Sequence, residues 1–246
     1  MRPALLIGRK GSVGFPGKNT HPVNGRPLAW YPMQLALQSE MIDKVFLSTD
    51  DPSLIELGKK LGIEIIERPD YLATKEALGE DAFVHGFEQI KKRYPDEPID
   101  AIALLFCNCA TATLSGIKTG FELLEKNDNL DSAVSVSRYN MWSPLRARRL
   151  AEDGTLVPMV PFELFGDPKT LNCDRDSQGD VWFADMGFSI VLPKCLENIE
   201  DGLLPQKWMG QNIGPVEQDG GFDLDYESQL SSVEWWLGKY SDLELR

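Results

Sequence analysis

Among the features of this sequence, an alternation narrows the fold most. Apolar runs of strand length occupy residues 4–7, 44–49, 63–66, 101–105 and 133–136, and helical spacing fills much of the intervals between them. Residues 29–39 place Trp30, Met33, Leu35 and Leu37 on a helical pattern, and Leu54, Ile55, Leu57 and Leu61 do the same after Pro52, where a helix can begin. Gly62 closes that second helix, and two more are predicted over 79–92 and 114–124. Strands that alternate with helices pair in parallel, because each crossover returns the chain to the same end of the sheet. The predicted class is α/β, a mostly parallel sheet with helices on both faces, in a single domain over 1–246. Such sheets bind ligands beyond the carboxyl ends of their strands. That edge would collect the loop after Ile7, Asp50 and Asp51 after Thr49, Arg68 after Ile66, and Asn108 after Leu105.

The loop after the first strand is chemically distinctive. Between Gly8 and Asn19 it carries Gly8, Gly11, Gly14 and Gly17, the basic side chains Arg9, Lys10 and Lys18, and Ser12. Glycines let a backbone curl around a ligand with its N–H groups inward, and fixed positive charge completes a site suited to a polyphosphate. A P-loop is excluded, because Ser12 stands where its first glycine belongs and Asn19 where its Ser/Thr belongs. The dinucleotide fingerprint is excluded too, because these glycines recur every third residue. An ordinary glycine-rich turn remains the alternative reading.

The formal net charge of −13 argues against a general nucleic-acid or anionic-membrane surface, although positive charge gathered in one pocket can still hold a nucleotide. No apolar run approaches the roughly 20 residues that span a bilayer. Met1 leads straight into the first strand, so no signal peptide and a cytoplasmic location are expected. The four cysteines, Cys107, Cys109, Cys173 and Cys195, form no C-x-x-C pair and are expected to be buried free thiols.

From 138 to about 178 the alternation is lost. Pro144, Pro158, Pro161 and Pro168, with Arg146, Arg148 and Arg149, predict an excursion from the sheet, a flap or a dimer arm. Residues 189–192 read as a returning strand. Phe222-Asp223-Leu224-Asp225 then sets two carboxylates on one side of an extended segment, and a last helix carries Leu230, Val233, Trp236 and Leu237. Asp-x-Asp near a phosphate loop is what a magnesium–phosphate site needs. On its own it is equally a solvated acidic turn. Asp50 and Asp51 could add carboxylates, or Asp51 could cap the helix at Pro52. Trp182, Phe183 and Phe188 could line a sugar pocket or pack the core, and Trp235 and Trp236 could pack or meet another subunit.

Arg9-Lys10-Gly11-Ser12-Val13-Gly14-Phe15-Pro16-Gly17-Lys18-Asn19 resembles the N-terminal signature of the cytidylyltransferases that activate acidic sugars, the CMP-sialic acid synthetases and, more distantly, the CMP-Kdo synthetases. The likeness continues in order through Ser48-Thr49-Asp50, Arg68-Pro69 with Leu72-Ala73, Leu104-Leu105, Pro144-Leu145-Arg146, Phe183 with Gly187, and Phe222 to Asp225. The resemblance implies a Rossmann-like nucleotidyltransferase fold with an inserted dimerisation arm, here 138–178, and a homodimer. It implies CMP transfer from CTP to a hydroxyl of an acidic sugar, with Mg²⁺ as cofactor and release of pyrophosphate. Carried over by position, Arg9, Gly11, Ser12 and Lys18 would hold the triphosphate, Asn19, Arg68 and Ala73 would help hold the nucleoside, and Gly8 and Lys10 would belong to the same nucleotide-binding set. Asp223 and Asp225 would bind magnesium and act in catalysis with Arg9 and Lys18. Asn108, Arg146, Phe183 and Gly187 would face the acceptor.

The departures fall mainly at the acceptor end. Phe106-Cys107-Asn108-Cys109 replaces the family's Gln-Pro-Thr-Ser, Met186-Gly187 replaces Asn-Gly, and Ala184 stands for an arginine. Val13 replaces a lysine of many members, with Lys10 beside it as the candidate substitute. This pattern implies retained transfer chemistry and an acceptor other than ordinary sialic acid. Open alternatives are another base or acceptor (an aminated sugar acid, a phosphonate or a sugar phosphate), a glycosyltransferase, and a non-catalytic nucleotide-binding relative.

Overall fold

The computed structural model describes residues 1–11 and 14–244. Strand β1 (Pro3–Ile7) is buried along its whole length. A two-residue hairpin, β2 (Pro22–Val23) and β3 (Arg26–Pro27), leads to α1 (Trp30–Gln38). Next come β4 (Lys44–Thr49), α2 (Pro52–Lys60), β5 (Glu64–Glu67), α3 (Gly79–Arg93), β6 (Ile102–Phe106), α4 (Leu114–Glu125) and β7 (Ser132–Arg138). The chain then leaves the sheet. A hairpin, β8 (Arg148–Leu150) with β9 (Leu156–Pro158), and several short helical turns precede the return in β10 (Trp182–Val191). Short α5 (Lys194–Glu197), strand β11 (Ile213–Gln218) and α6 (Leu230–Tyr240) complete the chain.

Seven strands form the main sheet in the order β11-β7-β10-β6-β1-β4-β5. Pairings are parallel except at β10, which runs antiparallel between β6 and β7. Successive strand residues point to opposite faces, and β1 shows the division directly. Ala4 and Leu6 pack with Met33 of α1, Leu54 of α2 and Phe121 of α4, whereas Leu5 and Ile7 pack with Phe83, Phe87 and Ile90 of α3. Helices thus cover both faces of a mostly parallel sheet, as the alternation predicts. A third apolar cluster joins α6 through Val233, Trp236 and Leu237 to Val23, Leu28 and Leu224.

Local chemistry sets the element ends. The Asp51 carboxylate accepts from Ser53 N at 2.9 Å and Pro52 opens the first turn, so α2 starts where its cap is. Gly62, at φ 77°, turns the chain out of that helix.

Two expectations need correction. The returning strand is longer than 189–192, because β10 begins at Trp182 and carries a bulge between Ala184 and Ser189, with Met186 at φ 62°. Cys107, Cys109 and Cys195 are buried free thiols, but Cys173 is exposed, because it lies in the excursion and not in the core.

Candidate active site

A cavity of about 560 Å³ opens beyond the carboxyl ends of β1, β5 and β6. From the first loop it takes Gly8, Arg9, Gly14, Lys18 and Asn19, from the segment after β5 Arg68, from β6 and the residues after it Phe106 and Asn108, and from the C-terminal loop Asp225. An α/β sheet presents ligands at this edge because the helix-to-strand returns lie at the opposite end.

Close packing brings the two ends of the chain together. A Cβ on Gly14 would lie 2.7 Å from the Asp225 carbonyl oxygen, so this approach admits only glycine. Lys18 Nζ donates to Asp225 Oδ1 at 2.5 Å, with the lysine side chain nearly covered and the aspartate half exposed. Gly8 is held just as tightly, since a Cβ there would meet Leu54 Cδ1 at 2.7 Å and Cys107 Sγ at 2.8 Å. Asn108 fastens the acidic segment. Its Nδ2 donates to Asp223 Oδ2 at 3.0 Å and to the Leu224 carbonyl at 3.2 Å, and its own carbonyl accepts from Leu224 N at 2.8 Å.

Burial, and then the Asp225 carboxylate beside it, push the Asp223 carboxyl above its ordinary value, against the Asn108 hydrogen bond and Lys18. Two buried side chains on the cavity wall keep unused polar atoms. Arg68 Nη2 donates to the Ser48 carbonyl at 2.9 Å, but its Nε has no hydrogen-bond partner among the described residues, and neither does Asn19 Oδ1. Burial also lowers the Arg68 pKa from its ordinary value. A buried donor and a buried acceptor without partners are costly, and a ligand that satisfies both would recover that cost.

The remaining candidate residues fall at varied distances from the cavity. Lys10 has an exposed side chain, and its backbone N–H donates to Asp50 Oδ1 at 3.0 Å. Asp50 therefore braces the loop and Asp51 caps α2, which leaves the carboxylate pair to Asp223 and Asp225. Gly11 adopts φ 83° and does not line the cavity. Ser12 and Val13 lie outside the described residues. Ala73 closes a short turn by donating to the Asp70 carbonyl, and it is Ala77, four residues on, that reaches the cavity with Leu78 and Gly79.

The acceptor group is divided. Asn108 faces the cavity, whereas Arg146 lines a separate cavity of about 480 Å³ with Arg148, Phe162 and Cys173, because the excursion carries it off the sheet edge. Phe183 sets its ring 6.1 Å from that of Tyr139, away from the cavity. Gly187 is packed inside, where a Cβ would meet Gln218 Nε2 at 2.7 Å. Sequence reasoning missed Ala77, Leu78, Gly79 and Tyr226. Only the Leu78–Gly79 start of a helix after an Arg-Pro turn could have signalled them.

A carboxylate pair and no larger donor cluster stands here: among the described residues no group of three or more His, Cys, Asp or Glu side chains could hold a metal. Magnesium keeps several waters and takes one or two carboxylates beside phosphate oxygens. Two carboxylates on one short segment, the buried Asp223 carrying the added charge burden of Asp225, beside a polyphosphate-type loop, fit that ion.

Residues 4–99 match the family model described as cytidylyltransferase. The N-acylneuraminate cytidylyltransferase of Oncorhynchus mykiss is 34% identical over 224 residues, 91% of this chain and 48% of that protein. A Helicobacter pylori protein named pseudaminic acid cytidylyltransferase and UDP-2,4-diacetamido-2,4,6-trideoxy-beta-L-altropyranose hydrolase is 29% identical over 145 residues, 58% of this chain and 27% of that one. The chain thus spans between about a quarter and a half of the length of these relatives. Among solved structures, CMP:2-keto-3-deoxy-manno-octonic acid synthetase complexed with CTP superposes with a TM-score of 0.69 at 16% identity, over 97% of this chain and 98% of that one. The 4-diphosphocytidyl-2C-methyl-D-erythritol synthase of Anaerococcus prevotii gives 0.62 at 11% identity, over 97% and 96%. These two establish the shared nucleotidyltransferase fold. By sequence, residues 4–99 carry the cytidylyltransferase pattern, and the chain is similar to the N-acylneuraminate and pseudaminic acid cytidylyltransferases.

Proposed function

We propose that this protein transfers CMP from CTP to a hydroxyl of an acidic sugar and releases pyrophosphate. The observation that carries the reading is the meeting of the Arg9–Asn19 loop with Asp225 around one cavity, with Lys18 bonded to Asp225 and Asp223 held just behind the wall by Asn108. In a chain of net charge −13, Arg9, Lys18 and Arg68 concentrate positive charge at that point, as a triphosphate requires.

The acceptor hydroxyl attacks the α-phosphorus in line, the P–O bond to the pyrophosphate breaks, and the hydroxyl proton leaves to solvent. Arg9 and Lys18 neutralise the charge that grows on the departing pyrophosphate. Asn19 and Arg68, each with a free polar atom on the wall, hold the nucleoside, and alignment of the two reactants supplies much of the acceleration. Asp223 and Asp225 would hold Mg²⁺, which supplies Lewis-acid neutralisation of phosphate oxygens.

Phe106 at the cavity, where the family resemblance expects glutamine, supports an acceptor unlike ordinary sialic acid. The excursion exposes Leu150, Leu156, Leu164 and Phe165, which supports its use as an arm between two subunits of a homodimer. No helix among the described residues is long and apolar enough to cross a membrane.

The test is pyrophosphate release from CTP and Mg²⁺ with a panel of 3-deoxy-2-keto sugar acids. One acceptor should support turnover, and Lys18→Ala should lower kcat/KM by about 10²-fold or more with the fold intact. No release with any acceptor, or an unchanged rate in the variant, would overturn the assignment.

A further inference from the structure

Beneath the acidic segment lies a buried carboxylate that the transfer reaction does not touch. Asp185 sits at the bulge of β10 and is almost fully buried. Its Oδ1 accepts from Ser135 Oγ at 2.6 Å and Gly187 N at 3.1 Å, its Oδ2 accepts from Ser137 Oγ at 2.6 Å, and Gln218 Nε2 donates to both oxygens at 3.1 and 3.0 Å. Every one of these partners is uncharged. A buried carboxyl group held by so many neutral donors calls for a structural reason.

That reason lies in where the donors lead. Ser137 Oγ, while donating to Asp185, accepts from Gly221 N at 2.8 Å. Gln218 Nε2 also donates to the Thr111 carbonyl at 3.0 Å, which fixes the amide so firmly that Gln218 Oε1 is left buried without a partner among the described residues. Turning the amide over would set that oxygen against the carboxylate and the Thr111 carbonyl. Gly221 approaches so closely that a Cβ there would lie 2.7 Å from Asp185 Oδ2. Asp185 thus grips residues 218 and 221 at once, two residues before Asp223. Asn108 holds the far side of the same segment.

We propose that Asp185 is a positioning residue that sets the Asp223–Asp225 pair for its cation, acting through Ser137 and Gln218. The inference rests on the proposed function, in which that pair holds a divalent cation. Groups behind metal ligands typically change affinity by about 10- to 100-fold when removed.

The experiment titrates Mn²⁺ into the whole protein and follows loss of the free-ion electron paramagnetic resonance signal, with thermal unfolding measured alongside. Asp185→Asn keeps the shape but sets an NH₂ group against the donors, and it should weaken Mn²⁺ binding by about tenfold or more. Ser137→Ala removes the hydroxyl that joins Asp185 to Gly221 and to the Gln218 carbonyl, and it should reproduce the effect even if the first variant folds poorly. Ser135→Ala, which cuts a bond on the side of Asp185 facing Phe188, should cost stability and leave Mn²⁺ affinity at the wild-type value. Equal Mn²⁺ affinity in wild type and Ser137→Ala, or equal weakening by Ser135→Ala, would overturn the inference while leaving the proposed function standing. Wild-type protein that binds no Mn²⁺ would overturn the cation site and the inference with it.

Discussion

Asp223 shows what the site costs the fold. Its carboxyl is pushed above the ordinary value of 3.8 by burial and by Asp225. A raised carboxyl pKa means the group's favourable contribution is complete below the unfolded value and is lost as pH rises through the folded one. At neutral pH the ionised side chain therefore destabilises the protein. Asp223→Asn keeps an oxygen for Asn108 Nδ2 and removes the charge, so its thermal midpoint at pH 7 should exceed the wild-type value, by about 2–4 °C for each kcal/mol relieved. The gap should close as pH falls through 3.8, and turnover should be lost. Midpoints that coincide at pH 7 would show that burial does not disfavour the charge. At this scale, the acids and Lys18 were legible in the sequence because charge and glycine spacing mark them. Arg68 was legible as a candidate, but its orphaned Nε was not, since partnerlessness is a property of packing. Ala73 was misplaced by four residues for a related reason: the turn that ends at Ala73 consumes its N–H, and Ala77 carries the chain on to the wall.

Elements built from apolar periodicity were read closely, with β4 and α1 matching to within a residue at each end. The two stretches of the main sheet that escaped share a cause. The first half of β10 contains Asp185, whose polar partners are other strands' serines and so invisible along the chain, and β11 carries Gly214 and Pro215, which read as a break. Pro215 is tolerated because β11 is the edge strand of the sheet. Helix–sheet contact makes its own demand. On α3, a Cβ at Gly86 would lie 2.6 Å from Leu5 Cδ2. Gly86→Ala would gain about 1 kcal/mol of helix propensity, but overpacking a core contact costs about 1–3 kcal/mol. Urea denaturation should therefore show a net loss of up to about 2 kcal/mol. A gain in stability would mean that Leu5 moves aside freely.

Across the whole molecule, the excursion after β7 exposes large apolar side chains. Leu150, Leu156 and Leu164 are each about 70% exposed or more. Sequence marked this segment by its prolines and its broken periodicity, but not its chemistry as a surface, because exposure depends on what the rest of the chain covers. Sedimentation at increasing concentration should show a dimer, and Leu164→Glu should shift it toward monomer without changing the thermal midpoint by more than a degree or two. A wild-type chain that stays monomeric at high concentration would count against the arm.

The four thiols divide unequally between core and arm. Burial pushes Cys107 up to about 12 and Cys195 up to about 11, and Cys109 higher still, whereas Cys173 stands in the open. Alkylating reagents attack the thiolate and need access to it. A native sample should then take up one equivalent of maleimide dye without any engineering, placed on the very segment whose contacts are in question, and the pace of that uptake at rising protein concentration would report whether a second chain has come to lie against it.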